Sequence, residues 1–389
     1  MSWPLGKITD IAEIISGFAF KSEWFGAGNA KVIRISDLKN GSIDLSGAMV
    51  FDEKAHKVRE QFRVKSGDIL MALSGATVGK ISVADLEAEG AYLNQRVAII
   101  RGRCYENTEF LKYIFTGNRL QKLLLNAGGA AQPNLSPKDL AEMEIPIPPL
   151  TEQKRIAAIL NKADNIRQKR EQAIKLADDF LRAIFLHMFC DPENNSKKFP
   201  VGTIRDLVSS ANYGSSEKAS EHNGKYPILR MGNITYQGDW DFTDLKYIDL
   251  DEKSKDKFLV RKGDLLFNRT NSKELVGKTA VFESNTEMAF AGYLVRVRTN
   301  ELGNNYYISG YLNSLHGKNT LVNMSKSIVG MANINAQEMQ NIRILIPPKE
   351  LQDRYEYIYK AVKDRVITHI ESKNELEKLF NTLSYQFYN

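Results

Sequence analysis

Two glycine-lysine pairs, Gly79-Lys80 and Gly277-Lys278, are the first places in this 389-residue chain where a phosphate could be cradled. A phosphate-binding loop needs a second glycine five residues earlier and a Ser or Thr after the lysine, so that backbone amides wrap the phosphate and a hydroxyl reaches Mg²⁺. Thr279 meets the second condition, but Ser272 stands where the glycine belongs, and Ile81 follows Lys80. Both pairs read instead as turns at strand edges. Asp68 and Asp264, each in a Gly-Asp pair, read as turn residues before a strand. The histidines (His56, His187, His222, His316 and His369) show no metal-ligand spacing. Cys104 and Cys190 give neither a zinc spacing nor a disulfide framework. No nucleophile elbow, dinucleotide glycine fingerprint or aromatic Asn/Asp-Pro-Pro tetrapeptide of amino-methyltransferases is present. The sequence therefore predicts no catalytic residue, no metal ligand and no cofactor of its own.

Composition points the same way. The chain is 43% hydrophobic and 26% charged, the balance of a globular protein with true cores. No apolar run approaches the roughly 20 residues that cross a bilayer, and the start, MSWPLGKITDIAEI, lacks the pattern of a signal peptide. With two cysteines far apart, the expected address is the cytosol. The net charge of +6 is spread along the chain without a basic tail or block. A polyanionic partner is compatible with that balance, provided that folding or a neighbouring subunit assembles the positive surface.

The elements that must position any binding residues are written twice. VKSGDILMALSGATVGKISV (64–83) resembles VRKGDLLFNRTNSKELVGKTAV (260–281). AAQPNLSPKDLAEMEIPIPP (130–149) resembles GMANINAQEMQNIRILIPP (330–348), and KVIRISDLKNG (31–41) resembles PILRMGNITYQG (227–238). The order is conserved and the offset stays between 196 and 199 residues. Such self-similarity is the mark of a duplicated unit. Short apolar or alternating runs (KVIRI, GDILMAL and RVAIIRG, then GDLLFNR and YLVRVRT) predict β-rich domains, with helices expected at 107–127 and 304–324.

Each domain ends in a strand-like run and Pro-Pro, after which a charged stretch takes up helical spacing. Prolines hold Ile147 and Ile346 extended, and Glu152 or Glu350 falls in the first helical turn, where it suits the helix dipole. In the first helix a heptad row runs through Ile156, Ile159, Ala163, Ile166, Arg170, Ala173, Ala177, Phe180 and Ile184. In the second it runs through Tyr355, Ile358, Val362, Arg365, His369, Ser372, Leu376, Leu379 and Leu383. A supporting row holds Leu160, Ile174, Leu181 and Met188 in one helix, and Tyr359, Val366, Phe380 and Phe387 in the other. Each helix could pack on its own domain. A stripe about 55 Å long at 1.5 Å per residue is better buried on a partner helix of matched length. The expected architecture is α+β: two homologous β-rich domains (1–150 and 201–348), separated by a pair of long antiparallel coiled-coil helices (151–189 and 349–389) under a pseudo-two-fold repeat, with 190–200 as a flexible linker.

A β-rich domain ending in IPIPPLTEQKRIAAILNKAD, with GGAAQPNLSPKDL upstream, is similar to the specificity subunits of type I restriction-modification systems. The likeness covers essentially the whole chain. It is looser in the second half, where PPKELQDRYEYIY has Leu-Gln-Asp-Arg in place of Glu-Gln-Lys-Arg. The resemblance implies a subunit without catalysis of its own, carrying two target-recognition domains that each read half of a split site on double-stranded DNA. The helices would set the gap and dock two modification (methyltransferase) subunits. Restriction (ATPase and nuclease) subunits would join the complex, and S-adenosylmethionine, ATP and Mg would be held by these partners. No membrane is implied.

Loop chemistry suits base and phosphate contacts, since Asn and Gln can pair with adenine, Arg with guanine, and lysines with phosphate. The first domain offers Lys21, Trp24, Ser74, Thr77, Lys80, Gln132 and Asn134. The second offers Tyr213, Lys218, Asn268, Arg269, Thr270, Asn271, Lys326 and Asn333. Asn134 and Asn333 match in domains that should read different sequences, which also suits a structural role, and Trp24 suits a core position equally. Two alternatives stay open at this level: a self-contained DNA methyltransferase or nuclease, and a coiled-coil scaffold without a DNA role.

Overall fold

A computed structural model describes residues 3–39, 41–75, 77–115, 135–328 and 331–388. The chain divides into two compact units, Met1–Arg170 with Ser372–Asn389, and Glu171–Glu371. No helix among the described residues is long and apolar enough to cross a membrane.

The first unit is built on a four-stranded antiparallel sheet in the spatial order Ala12–Ser16, Val97–Gly102, Ile69–Ala72, Ile81–Val83. A three-stranded sheet of Met49–Phe51, Phe25–Ile33 and Tyr92–Leu93 adjoins it, and Leu5–Lys7 pairs with Glu144–Pro146. The second unit repeats this plan. Its four strands are Val208–Tyr213, Leu294–Thr299, Leu265–Asn268 and Thr279–Val281. Its three-stranded sheet is Lys246–Ile248, Tyr226–Leu229 and Ala289–Phe290, and Val201–Thr203 pairs with Arg343–Leu345. Of the helix expected at 107–127, the structure shows Tyr105–Ile114, capped at Phe115, and residues 116–127 lie outside the described residues. The one expected at 304–324 is two helices, Asn305–Asn313 and Leu315–Met324, because the Ser314 hydroxyl accepts the Gly317 amide and starts a new helix.

The repeated Gly-Asp pairs do more than turn the chain. Asp68 accepts from Nε and Nη2 of Arg101 at 2.8 and 2.7 Å, while its carboxylate also takes the Lys65 amide at 2.7 Å. Asp264 does the same with Arg298 at 2.7 and 2.9 Å and with the Arg261 amide at 2.8 Å. Both carboxylates are buried, so each needs this full set of donors. Gly67 and Gly263 carry φ +90° in the turns just before them, a conformation glycine adopts without strain.

The long helices are Leu150–Phe189 and Lys349–Tyr388, 40 residues each. Their starts are pinned alike. Gln153 and Gln352 are buried and donate back to the carbonyls of Pro148 and Pro347, both at 2.9 Å. Residues 190–200, read as a flexible linker, form hydrogen-bonded turns: Asp191 accepts the amides of Glu193 and Asn194, and Asn195 both donates to and accepts from the backbone of Phe199.

In each unit the helix segments run antiparallel. In the first, Arg155 lies over the Phe387 ring at 5.7 Å, and Ile156 and Leu160 share a core with Phe380, Leu383 and Phe387. In the second, Phe185 meets Tyr355 edge-on at 5.3 Å and Lys363 pairs with Asp178 at 3.0 Å. The seam differs from the expected row in one respect. Where the two expected rows offer neighbouring residues, Leu160, Leu181, Val366 and Phe380 are the more buried, beside Ile159, Phe180, Arg365 and Leu379. Phe180 (48% exposed) and Leu379 (49% exposed) are therefore not seam residues. Of the other expected seam residues, Ile156 and Tyr355 are buried, and Ile159, Ile166, Ile184, Ile358, Val362, Leu376 and Leu383 are half-buried. The rotation follows from anchors on the recognition side. Asn107 donates to Gln153 at 2.8 Å and Tyr113 to Asn161 at 2.6 Å, which turns the neighbouring face inward.

Candidate nucleic-acid interface

The loop after Leu265–Asn268 collects most of the second unit's candidates. Its neck is a reciprocal backbone pair, Asn268 N–H to Lys278 O and Gly277 N–H to Asn268 O, both at 2.8 Å. The first unit closes its loop the same way, with Ala72 to Lys80 at 2.9 Å and Gly79 to Ala72 at 2.8 Å. Gly79 (φ +79°) and Gly277 (φ +81°) supply the left-handed turn. The glycine-lysine pairs are thus hairpin closures.

Within the loop, Thr270–Asn271 pairs with Met331–Asn333, which in turn pairs with Lys326–Ile328. The Arg269 guanidinium lies 4.9 Å from the centre of the Tyr213 ring and makes a long 3.5 Å contact to Asn333 Oδ1. Asn333 Nδ2 donates to Thr270 Oγ1 at 3.0 Å, and Tyr213 Oη accepts the Ala336 amide at 3.0 Å. Arg269, Thr270, Asn333 and Tyr213 are therefore one cluster, with Tyr213 partly exposed. Two of the loop's candidate residues are held inside the fold. Asn268 is fully buried, and its Oδ1 accepts the Thr270 amide, so it shapes the loop and presents no edge to solvent. Thr270 is buried and its hydroxyl is engaged by Asn333. Asn271 and Arg269 are half-buried and Lys218 is exposed.

In the first unit the candidates fall in two places. Lys21 is exposed near Glu23 at 3.8 Å. Trp24 stacks on His56 at 4.4 Å with rings 5° from parallel and packs against Phe18 and Phe20, so one face of the indole is already covered. Ser74 is half-buried and Thr77 exposed in the other loop. Lys80 lines a groove of about 640 Å³ with Lys112, Asp164, Arg167 and Glu377. Gln132 and Asn134 lie outside the described residues, as does the side chain of Lys326. Sequence reading missed His56, whose stacking partner is 32 positions away, and Lys363, a half-buried cation shared by Asp178 at 3.0 Å and Asp239 at 2.6 Å. Neither has a local motif. No group of three potential metal ligands occurs among the described residues.

Comparison with known proteins supplies the rest. A family model described as type I restriction modification DNA specificity domain matches residues 2–176 and again 196–378. The type I restriction enzyme EcoKI specificity subunit of Escherichia coli (strain K12) is 25% identical over 378 residues, covering 90% of this chain and 80% of the relative. The StySPI specificity subunit of Salmonella potsdam is 24% identical with the same coverage. The crystal structure of a type I restriction-modification S subunit from M. genitalium superposes with TM-score 0.62 at 15% identity, over 100% of this chain and 96% of that one. It shows the shared fold.

Proposed function

Because the chain belongs to the type I restriction modification DNA specificity domain family, we propose that it is the non-catalytic sequence-reading subunit of a type I complex. Each unit reads one half of a bipartite target on double-stranded DNA, and the helix pair sets the gap. The observation that carries this reading is the duplication: the same sheet order, buried Asp–Arg pair and hairpin closure occur in both units, each joined to an antiparallel heptad pair. One plan used twice with different loop residues suits two recognition events. A scaffold would not need two loops of different sequence on one plan, and an enzyme would not need two copies without a catalytic constellation. S-adenosylmethionine belongs to two modification subunits, and ATP and Mg to restriction subunits.

The test is adenine methylation mapped across a genome carrying this subunit and its partners. Alanine at Arg269 and Asn271 together is expected to relax or abolish recognition of one half-site while the other is still read. The loss should be about 5- to 150-fold per lost base contact. Complex assembly should survive. Unchanged methylation at both half-sites would leave the scaffold reading standing.

The helices also offer the modification subunits a place to dock. Phe180 and Leu379 occupy matching positions of the repeat and are each about half exposed. Two like apolar contacts on two like helices suit two copies of one partner. Phe180→Asp is expected to weaken capture of one modification subunit by about 30-fold or more, the scale of an interface hot spot, in a titration followed by native mass spectrometry. Stoichiometry unaffected by both F180D and L379D would place the docking elsewhere.

A further inference from the structure

The loop that holds Arg269 and Asn271 borders a cavity of about 790 Å³ within the second unit. Its lining includes Ser215, Arg230, Asn271, Lys278 and Tyr293. Two of these cations differ in kind. Arg230 is committed, donating to Asp244 at 2.9 Å. Lys278 is 8% exposed, and among the described residues its ammonium has no ion pair or hydrogen bond. Burial alone pushes its pKa below the usual lysine range, with no carboxylate acting to hold the charge. An unpaired ammonium drawn partly out of water is costly to keep. Lys278 immediately precedes the edge strand Thr279–Val281 and lines the cavity beside the apolar Ile228, Leu275 and Ala291. Tyr293, on the lining of the same cavity, is 55% exposed.

We propose that this cavity is an anion-receiving site in which Lys278 takes an anionic oxygen of the DNA phosphate backbone beside the second half-site. The inference rests on the DNA-reading function proposed above and adds to it a contact that the hairpin closure conceals. Lys278 holds the backbone in register while Arg269 and Asn271 meet base edges, and Asn271 belongs to both sites because the loop forms one wall of the cavity.

The test uses the assembled complex and fluorescence anisotropy on two labelled duplexes, one with the mapped target and one with the second half-site scrambled, each over a salt series. Lys278→Met is expected to weaken binding to both duplexes by the same several-fold factor and to reduce the slope of log K against log salt by about 1. Lys278→Arg is expected to restore the slope. Should the methionine variant not assemble, Lys278→Gln takes its place. Equal affinity and equal slope in wild type and variant overturn the inference. So does a loss confined to the intact target with an unchanged slope, which would make Lys278 a base contact. Thermal stabilisation of the wild-type chain, but not of the variant, by inorganic phosphate, with DNA binding unaltered, assigns the site to a free anion and also overturns it. Absence of any target binding by the wild-type complex would instead refute the DNA-reading function itself.

Discussion

Phe185→Ala is expected to lower the unfolding temperature of residues 171–371 by roughly 10 °C. The ring is 2% exposed and lies in a cluster with Phe189 at 5.0 Å, Tyr307 at 5.7 Å and Tyr355 at 5.3 Å. It joins three elements at once: the end of the first long helix, the start of the second, and the helix Asn305–Asn313. The last approaches so closely that a Cβ on Gly310 would sit 2.6 Å from Phe185 Cδ2. Neighbours held from three sides cannot collapse into the space left by the ring, so the cavity persists. A buried Phe→Ala change costs about 3–5 kcal/mol, and a unit of this size loses about 2–4 °C per kcal/mol. Phe180→Ala, five residues earlier and half exposed, is the control, with a cost below about 1 kcal/mol. Differential scanning calorimetry of both variants decides it. If F185A falls no further than F180A, the aromatic cluster does not hold the helices to the domain.

That contrast between two phenylalanines marks where the sequence was legible and where it was not. The duplication, the antiparallel pair and the heptad period followed from residue spacing, because spacing is what a helix or a repeat imposes on a chain. The rotation of the helices did not. At 159 and 160, 180 and 181, 358 and 359, and 379 and 380, both neighbours are apolar or aromatic. A three-then-four row and a four-then-three row through the same alternate positions were therefore equally good. The choice is made by tertiary anchors such as Asn107 with Gln153, which pair residues 46 apart and leave no periodic trace. The loop shows the same limit. The strand Leu265–Asn268 is buried on both faces, so no alternation told which way Asn268 points. Lys278 was readable as a turn residue and as nothing more, because its environment is contributed by segments 215–232 and 291–293.

The heptad period also dictates how the proposed spacing function should be tested. Removing one helical turn, four residues, from each helix would break a seam that repeats every seven. Removing seven from each, 167–173 and 368–374, keeps the seven-residue period of both helices. Of the heptad positions this cut removes, Arg167, Arg170, His369 and Lys373 are all polar. Seven residues at 1.5 Å shorten each helix by about 10 Å, and B-DNA advances about 34 Å per 10 base pairs. The shortened subunit should therefore prefer a gap about three base pairs smaller. Those three pairs also turn the duplex by roughly a third of a turn, so affinity for the new spacing should be lower than that of the parent for its own. At the parental gap the two readers can no longer engage together. Losing one of two linked binding events removes an avidity of about 10²-fold or more, and methylation of parental sites should fall by at least that factor. Genome-wide mapping of modified adenines gives both answers in one measurement. Undiminished methylation at the parental gap would mean that spacing is set by something other than the length of the helices.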